Sequence, residues 1–525
     1  MAPTLGPGDF AAELERLRAL ASTLAEAFGA AATSSRTLGR ERAALRLIGV
    51  TGIDREGRPL AAEVVDRYVS GHPERLATGV TLPFAMALLE YDVAPQQLAL
   101  DVAGGTVDLA MEAELLTDRA RHDAAAALLG QLVTAALERV DANRTARHEL
   151  LGVLGDRRPP WVGTTLLEPS AHGASDEATG LVRAGADLVR VEVPIGRELA
   201  IRLGELGREV IAWRAPHDDD PDPAPSGSQR GLGRLRDALD RAAAERGAYV
   251  RLSIVPAALA GPEGAIVAAF ERADIAELDP MAEIVGTGVD PERAFADFAF
   301  AVRVARRAGT VIQLGAGPLV VAPDLDAGVN SDPVTRAGRA LALQLLAVST
   351  AQRYGLGGAS VIVGALPVWL IDEPNAAARA AAEVAVRRAL LPDHALAFVE
   401  PAGSDGHGLW AAIAGAVMPG EGASLVLRRG TPGPIFAPIA AATRAAADVA
   451  RELDGSLGRR TLDGIAREHA AGSITSALRT LERLGEEGWT GLTGAASERG
   501  GWGRLGGEAV APDAERADPL ERALG

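Results

Sequence analysis

One change of texture constrains this chain more than any other feature. After Arg157-Arg158-Pro159-Pro160, short apolar runs begin to alternate with amphipathic helical runs. Pro-Pro breaks a helix and directs an extended segment. The expected strands are Trp161–Leu167, Leu188–Val193, Glu209–Trp213, Tyr249–Val255, Asp274–Leu278, Thr310–Leu314, Ser360–Gly364 and Ala395–Val399. Helical segments such as Asp176–Ala184, Gly231–Arg246, Pro291–Arg307 and Pro333–Tyr354 lie between them. Strand–helix alternation implies parallel strands joined by crossover helices. Eight such units predict an α/β fold of the TIM (β/α)8 class, with a doubly wound open sheet as the alternative. Ala423–Arg428 offers one further strand.

Upstream the pattern is helical. Phe10, Leu14, Leu17, Leu20, Leu24 and Phe28 recur at spacings of three and four, one apolar stripe. Glu41–Ile48, Leu82–Leu89 and Thr117–Arg144 continue in that style. Downstream, Pro438–Asp454 and Ile474–Gly485 are helical, and the Gly- and Trp-rich stretch Gly491–Gly507 is irregular. The expected division is a helical accessory region over 1–156, a barrel over 157–430, and C-terminal helices with an irregular tail over 431–525.

Composition excludes several kinds of chemistry. The chain of 525 residues has no cysteine, which removes disulfides, thiolate metal sites and Cys nucleophiles. It has no lysine either, so all 53 basic residues are arginine. It therefore cannot form its own Schiff base or supply a P-loop lysine. The net charge of −17 opposes a nucleic-acid or anionic-membrane surface. Met1–Phe10 lacks a signal-peptide pattern and no run has the length of a membrane span, so a cytoplasmic location is expected.

In a barrel of this class, reactive groups gather at the C-terminal ends of the strands. That rule selects Glu168 and His172 after the first strand and Glu192 at the end of the second. It adds Arg214 and His217 after the third, Asp279 after the fifth and Glu400 after the eighth. Such carboxylates and histidines suit acid–base work or a divalent metal, and equally suit loops facing water. Asp279, at the abrupt stop Ala-Glu-Leu-Asp-Pro, is the leading candidate. Asp405-Gly406-His407 has the beginning of a cobalamin-ligating loop, but Trp410 stands where that motif needs glycine. Gly315-Ala316-Gly317 and Gly355-Leu356-Gly357-Gly358 fit turns better than phosphate cradles.

The collinear order of several segments resembles the alpha subunit of lysine 5,6-aminomutase. They include Glu41-Arg42-Ala43 with Leu45–Val50, Arg183-Ala184-Gly185-Ala186-Asp187, Tyr249-Val250-Arg251-Leu252 and Glu271-Arg272-Ala273-Asp274 with Asp279. Arg293, Asp297 and Phe300, then Ala308–Ile312, Gly355-Leu356-Gly357, Leu391-Pro392-Asp393 and Gly500-Gly501-Trp502-Gly503 follow in register. The resemblance implies a TIM barrel covered by a beta subunit that carries adenosylcobalamin and the lysine holding pyridoxal phosphate. The radical chemistry then belongs to the cofactors, and the barrel supplies position and shielding. It implies a catalytic role for Asp279, an amino-acid substrate bound near Glu168 and Glu192, a hetero-oligomer, and no covalent cofactor on this chain.

The sequence departs from the family at its cofactor contacts. Val193-Pro194-Ile195-Gly196-Arg197-Glu198 stands where an arginine and a serine hold the phosphate, leaving Arg197 as the replacement contact. Ile254-Val255 replaces an Asn-Tyr pair whose ring stacks on the pyridine. Ala316-Gly317-Pro318 replaces Glu-Asp-Asn, and Gly358 replaces a histidine. Two further readings stand beside the aminomutase one. One is a non-catalytic paralogue that stabilises a partner. The other is a metal-dependent barrel lyase using His172, Glu192, His217 and Asp279.

Overall fold

The computed structural model describes residues 4–6, 8–32, 36–54, 58–70, 72–166, 171–193, 229–257, 259–287, 289–315, 332–365, 374–399, 424–428, 433–457, 461–488 and 523. Eight parallel strands close into a barrel in sequence order. They are β1 (Trp161–Thr165), β2 (Leu188–Val193), β3 (Arg251–Pro256), β4 (Ile275–Glu277), β5 (Val311–Leu314), β6 (Val361–Gly364), β7 (Ala395–Val399) and β8 (Ser424–Arg428). The closing seam pairs Trp161 with Leu425 and Gly163 with Leu427.

Closure corrects the strand count. Leu188–Val193 pairs directly with Arg251–Pro256, from Leu188↔Arg251 to Val193↔Pro256. The expected strand Glu209–Trp213 lies outside the described residues, and the eight described strands close the ring. Ala395–Val399 is the seventh strand, and the extra candidate at its end, observed as Ser424–Arg428, is the eighth. Asp279 therefore follows the fourth strand rather than the fifth.

Strand alternation sorts the side chains into two sets. Val189, Val191, Leu252, Ile254, Ala276, Ile312, Val361, Val363, Leu396 and Phe398 face the helices in the main core. Leu188, Ile275, Ile362, Ala395, Ala397 and Val399 pack inside the ring with Trp161 and Val311. Gly163 admits a close approach, because a Cβ there would lie 2.5 Å from the Leu188 carbonyl oxygen and 2.8 Å from its Cδ2. Gly163→Ala is expected to cost about 1–3 kcal/mol by overpacking, read as a lower urea midpoint.

The N-terminal region supplies α1 (Ala11–Ala32), α2 (Leu38–Leu47), α3 (Leu60–Val69), α4 (Thr81–Tyr91), α5 (Pro95–Ala103), α6 (Leu109–Leu115) and the long α7 (Arg119–Leu154). The crossover layer is α8 (Ala171–Arg183), α9 (Gln229–Arg246), α10 (Gly261–Phe270), α11 (Pro280–Thr287), α12 (Pro291–Ala308), α13 (Pro333–Arg353) and α14 (Ala376–Leu390). Two C-terminal helices follow, α15 (Gly433–Leu457) and α16 (Gly464–Glu487). α15 sits over β1 and α8, where Phe436 and Ala440 pack on Val162, Leu181 and Ala186.

The accessory helices are fastened to the barrel by arginines. α2 is buried along its whole length, and its Arg46 pairs with Glu263 of α10 at 2.5 Å. On α7, Arg147 donates to the carbonyls of Ala273 (2.9 Å) and Ala308 (2.8 Å), satisfying the turns that lead into β4 and β5. α16 packs against α13, α14 and α1.

Candidate functional site

The two ends of the barrel differ in chemistry. At the N-terminal end, the Arg251 guanidinium lies 3.5 Å from the centroid of the Trp161 ring and pairs with Asp156 through two hydrogen bonds. This aromatic–cation contact links the starts of β1 and β3 at that end. The glycine turn Gly355–Gly358 leads from α13 into the start of β6, so it lies on this side too, away from the mouth.

Toward the C-terminal end the inward face becomes polar. Arg190 of β2, almost fully buried, donates to the Glu277 carboxylate of β4 at 2.8 Å and to the Thr165 hydroxyl of β1 at 3.3 Å. Glu192, two residues further along β2, comes within 3.7 Å of the same guanidinium. Its side chain is 58% exposed and so faces the mouth. Ser253 of β3 and Gln313 of β5 complete the arc, and both are buried. Strand register makes these staves neighbours, with Thr165↔Arg190, Arg190↔Ser253 and Glu277↔Gln313 as partners.

Asp279 stands just beyond β4, where the chain turns into α11. Its Oδ1 accepts from the amides of Met281 (3.0 Å) and Ala282 (3.3 Å), an N-cap contact. Its Oδ2 accepts from the Gly315 amide at 2.6 Å, which ties the end of β4 to the end of β5. Gly315 holds φ +70°, and a Cβ there would lie 2.3 Å from the Gln344 side chain, so glycine suits this position. Burial pushes the Asp279 carboxyl up to about 6, against the three amides that favour its charged form, and the nearby Glu277 adds to the rise. One turn along α11, burial and the charge of Asp297 carry Glu283 to about 8.

A buried hydrogen-bond chain supports Asp279 from outside the barrel. The Gln344 amide of α13 donates to the Gly315 carbonyl at 3.3 Å and accepts from the Arg387 Nε of α14 at 3.0 Å. Arg387 also donates to the Gly364 carbonyl at 2.8 Å and pairs with Glu383. Glu383 meets His469 of α16 at 2.9 Å. A contiguous chain thus runs from α16 through α14 and α13 to Asp279.

Of the residues selected from sequence, Glu192 and Asp279 lie at the described mouth, beside Arg190 and Glu277 respectively. Glu168, Arg197, Arg214, His217, Glu400 and the Asp405–His407 loop lie outside the described residues, as does the side chain of His172. Sequence reasoning passed over Arg190, Ser253, Glu277 and Gln313. The one signal for them is that a strand in an all-parallel sheet is buried on both faces, and it applies only once the sheet is known to close.

Among the described residues, no group of three or more His, Asp or Glu could hold a metal ion. Among the described residues a flat phosphorylated ring finds little purchase either. Ile254 points into the helix-side core, Val255 offers no ring, and the guanidinium at the mouth is engaged by two carboxylates. No helix among the described residues is long and apolar enough to cross a membrane.

A family model described as the D-lysine 5,6-aminomutase TIM-barrel domain of the alpha subunit matches residues 10–200 and 227–406. The lysine 5,6-aminomutase alpha subunit of Fusobacterium nucleatum is 27% identical over 278 residues, 52% of this chain and 50% of that protein. The lysine 5,6-aminomutase alpha subunit of Acetoanaerobium sticklandii is 25% identical over 275 residues, with the same shares. The matched stretch spans about half the length of these curated relatives.

Proposed function

The chain belongs to the family of the D-lysine 5,6-aminomutase alpha-subunit TIM-barrel domain, and from that premise we propose that it is the barrel component of an isomerase that moves an amino group between adjacent carbons of lysine or a related diamino acid. The observation that carries this reading is the pair of carboxylates, Glu192 and Asp279, at the C-terminal mouth of a closed barrel. Two anionic side chains suit a substrate with two ammonium groups. Glu192, exposed beside Arg190, orients the substrate, and Glu168 is proposed to share that role. Asp279, raised to about 6, can hold or release a proton near neutral pH and is proposed as the catalytic group.

Adenosylcobalamin and pyridoxal phosphate are proposed to come from a partner subunit, in a cytoplasmic hetero-oligomer. A chain without lysine needs another polypeptide to hold pyridoxal phosphate as an imine. The described residues of this chain do not fit a grip on that cofactor. Val255 cannot stack as a ring does, and the Arg190 charge is spent on Glu277. The partner must therefore supply most of the hold, with Arg197 proposed as this chain's phosphate contact.

The test mixes the full chain with a cobalamin-binding partner, both cofactors and lysine, and follows amino migration by mass spectrometry. Turnover that needs both chains is expected. A stable complex that loads both cofactors yet leaves lysine and its homologues unchanged would sink the reading and leave a binding role.

A further inference from the structure

We propose that Gln344 is a positioning residue for Asp279: from the helix layer it fixes Gly315 in a conformation whose amide meets the Asp279 carboxylate. The inference deepens the proposed proton role of Asp279 and rests on that reading only for its bearing on turnover. Glycine has no preference of its own for φ +70°, so its surroundings must hold Gly315 there. Gln344 of α13 is 2% exposed. It lies so close to the glycine that a Cβ on residue 315 would fall 2.3 Å from its Nε2 and 2.6 Å from its Cγ. It also grips the Gly315 carbonyl, at 3.3 Å. Gly364, at the end of β6, leaves space for that carbonyl, since a Cβ there would fall 2.1 Å from its oxygen. With the carbonyl and the Cα so confined, the Gly315 amide reaches Asp279 Oδ2 at 2.6 Å.

Arg387 sets the direction of these bonds. A guanidinium has donors only, so the Gln344 amide turns its oxygen to the Arg387 Nε and its NH2 to the Gly315 carbonyl. Every link then points the same way: Arg387 donates to Gln344, Gln344 to Gly315, and Gly315 to Asp279. Bonds aligned in this way polarise one another, and together they favour the charged carboxylate. Burial works against them and prevails, holding the group at about 6, and the Gly315 amide leads the contacts that oppose it. The other charges near Asp279 stand on known elements. Glu277, Arg190 and Glu192 lie on the barrel side, and Glu283, Arg293 and Asp297 belong to α11 and α12. Behind Gln344 stand Arg387, Glu383 and His469. All of these remain when Gln344 is replaced, so a change at Asp279 reports the aligned bonds.

The test needs no turnover. Urea unfolding of the full chain is compared with that of its Asp279→Asn variant from about pH 4 to pH 8, once with Gln344 in place and once in Gln344→Met. Within each background the difference between the two profiles isolates the Asp279 proton. With Gln344 in place, the stability owed to that proton should fade as the pH rises through about 6. In Gln344→Met the charged form loses a well-aimed donor, and the fade should move up by about one pH unit. A side chain that only fills space would lower stability equally at every pH and leave the fade in place, and that result overturns the proposal. Gln344→Asn, which draws the amide back from Gly315, carries the same test if Gln344→Met does not fold. In the two-subunit assay, the limb of the kcat profile that follows Asp279 should move by the same amount, with KM for lysine little changed. A shifted fade without amino migration by the wild type sinks the proposed activity and leaves the positioning role. Migration with an unshifted fade sinks the positioning role alone.

Discussion

Arg387→Met is expected to cost about 3–5 kcal/mol of unfolding free energy at neutral pH, measured by urea denaturation. Arg387 and Glu383 are both fully buried, one helical turn apart on α14. Methionine fills similar volume but leaves Glu383 with His469 alone, and it strips the Gly364 carbonyl and Gln344 of their donor. The pH dependence gives a second readout. Burial pushes the Glu383 carboxyl up, but the charge of Arg387 and the contact with His469 outweigh it and hold the group at about 2. A depressed acid stabilises the fold above its unfolded value, and that stability is lost as the pH falls toward the folded value. The wild type should therefore lose stability between about pH 4.5 and pH 2 through this group, and Arg387→Met should lose much less there. Adding Glu383→Gln to Arg387→Met should restore part of the deficit, since the stranded charge is gone. An Arg387→Met protein as stable as the wild type would refute the buried-pair account.

Asp279→Asn is expected to lower turnover in the two-subunit assay about 100-fold or more, with substrate binding less affected. Its effect on stability has the opposite pH sense to that of Glu383. The Asp279 carboxyl sits at about 6 instead of 3.8. The native state thus holds this proton more tightly than the unfolded chain. Its contribution is fullest below the unfolded value and is lost as the pH rises through about 6, roughly 3 kcal/mol over the whole window. Asparagine does not titrate, so the variant should lack this decline. Parallel wild-type and variant stability profiles between about pH 4 and pH 7 would show that Asp279 titrates like an ordinary surface carboxylate.

The barrel was legible where one physical signal dominated. Ala395–Val399 is an apolar run and Leu188–Val193 is rich in valine, and both appear as strands; the expected Trp161–Leu167 appears as Trp161–Thr165. α12 and α13 carried clear amphipathic stripes between an N-terminal Asp-Pro and a basic last turn. α10 gave no such stripe. It is buried between α2 and α12, so its apolar residues run all round and periodicity vanishes. Strand order was miscounted because pairing is long-range: nothing local in Ser424–Arg428 says that it meets Trp161.

The candidate site divided along the same line. Asp279 and Glu192 stand at or just past strand ends, where chain order alone marks a mouth. Arg190 and Glu277 sit inside strands, where a charge between apolar residues looks like half of a solvent-facing alternation. Only closure turns that face inward. Glu383–Arg387 has the spacing of a surface helix pair, and only the packing of α16 makes it a buried one.

The hydrogen-bonded path from His469 to Asp279 also has a consequence in time. A ribosome delivers Asp279 and its capping amides long before His469. A nascent chain can thus curl most of its staves while Glu383 still awaits its last neighbour. The outer end of the hydrogen-bonded path behind Asp279 is completed only when the closing helix docks, so a protein halted before that step would own the rim and lack that brace.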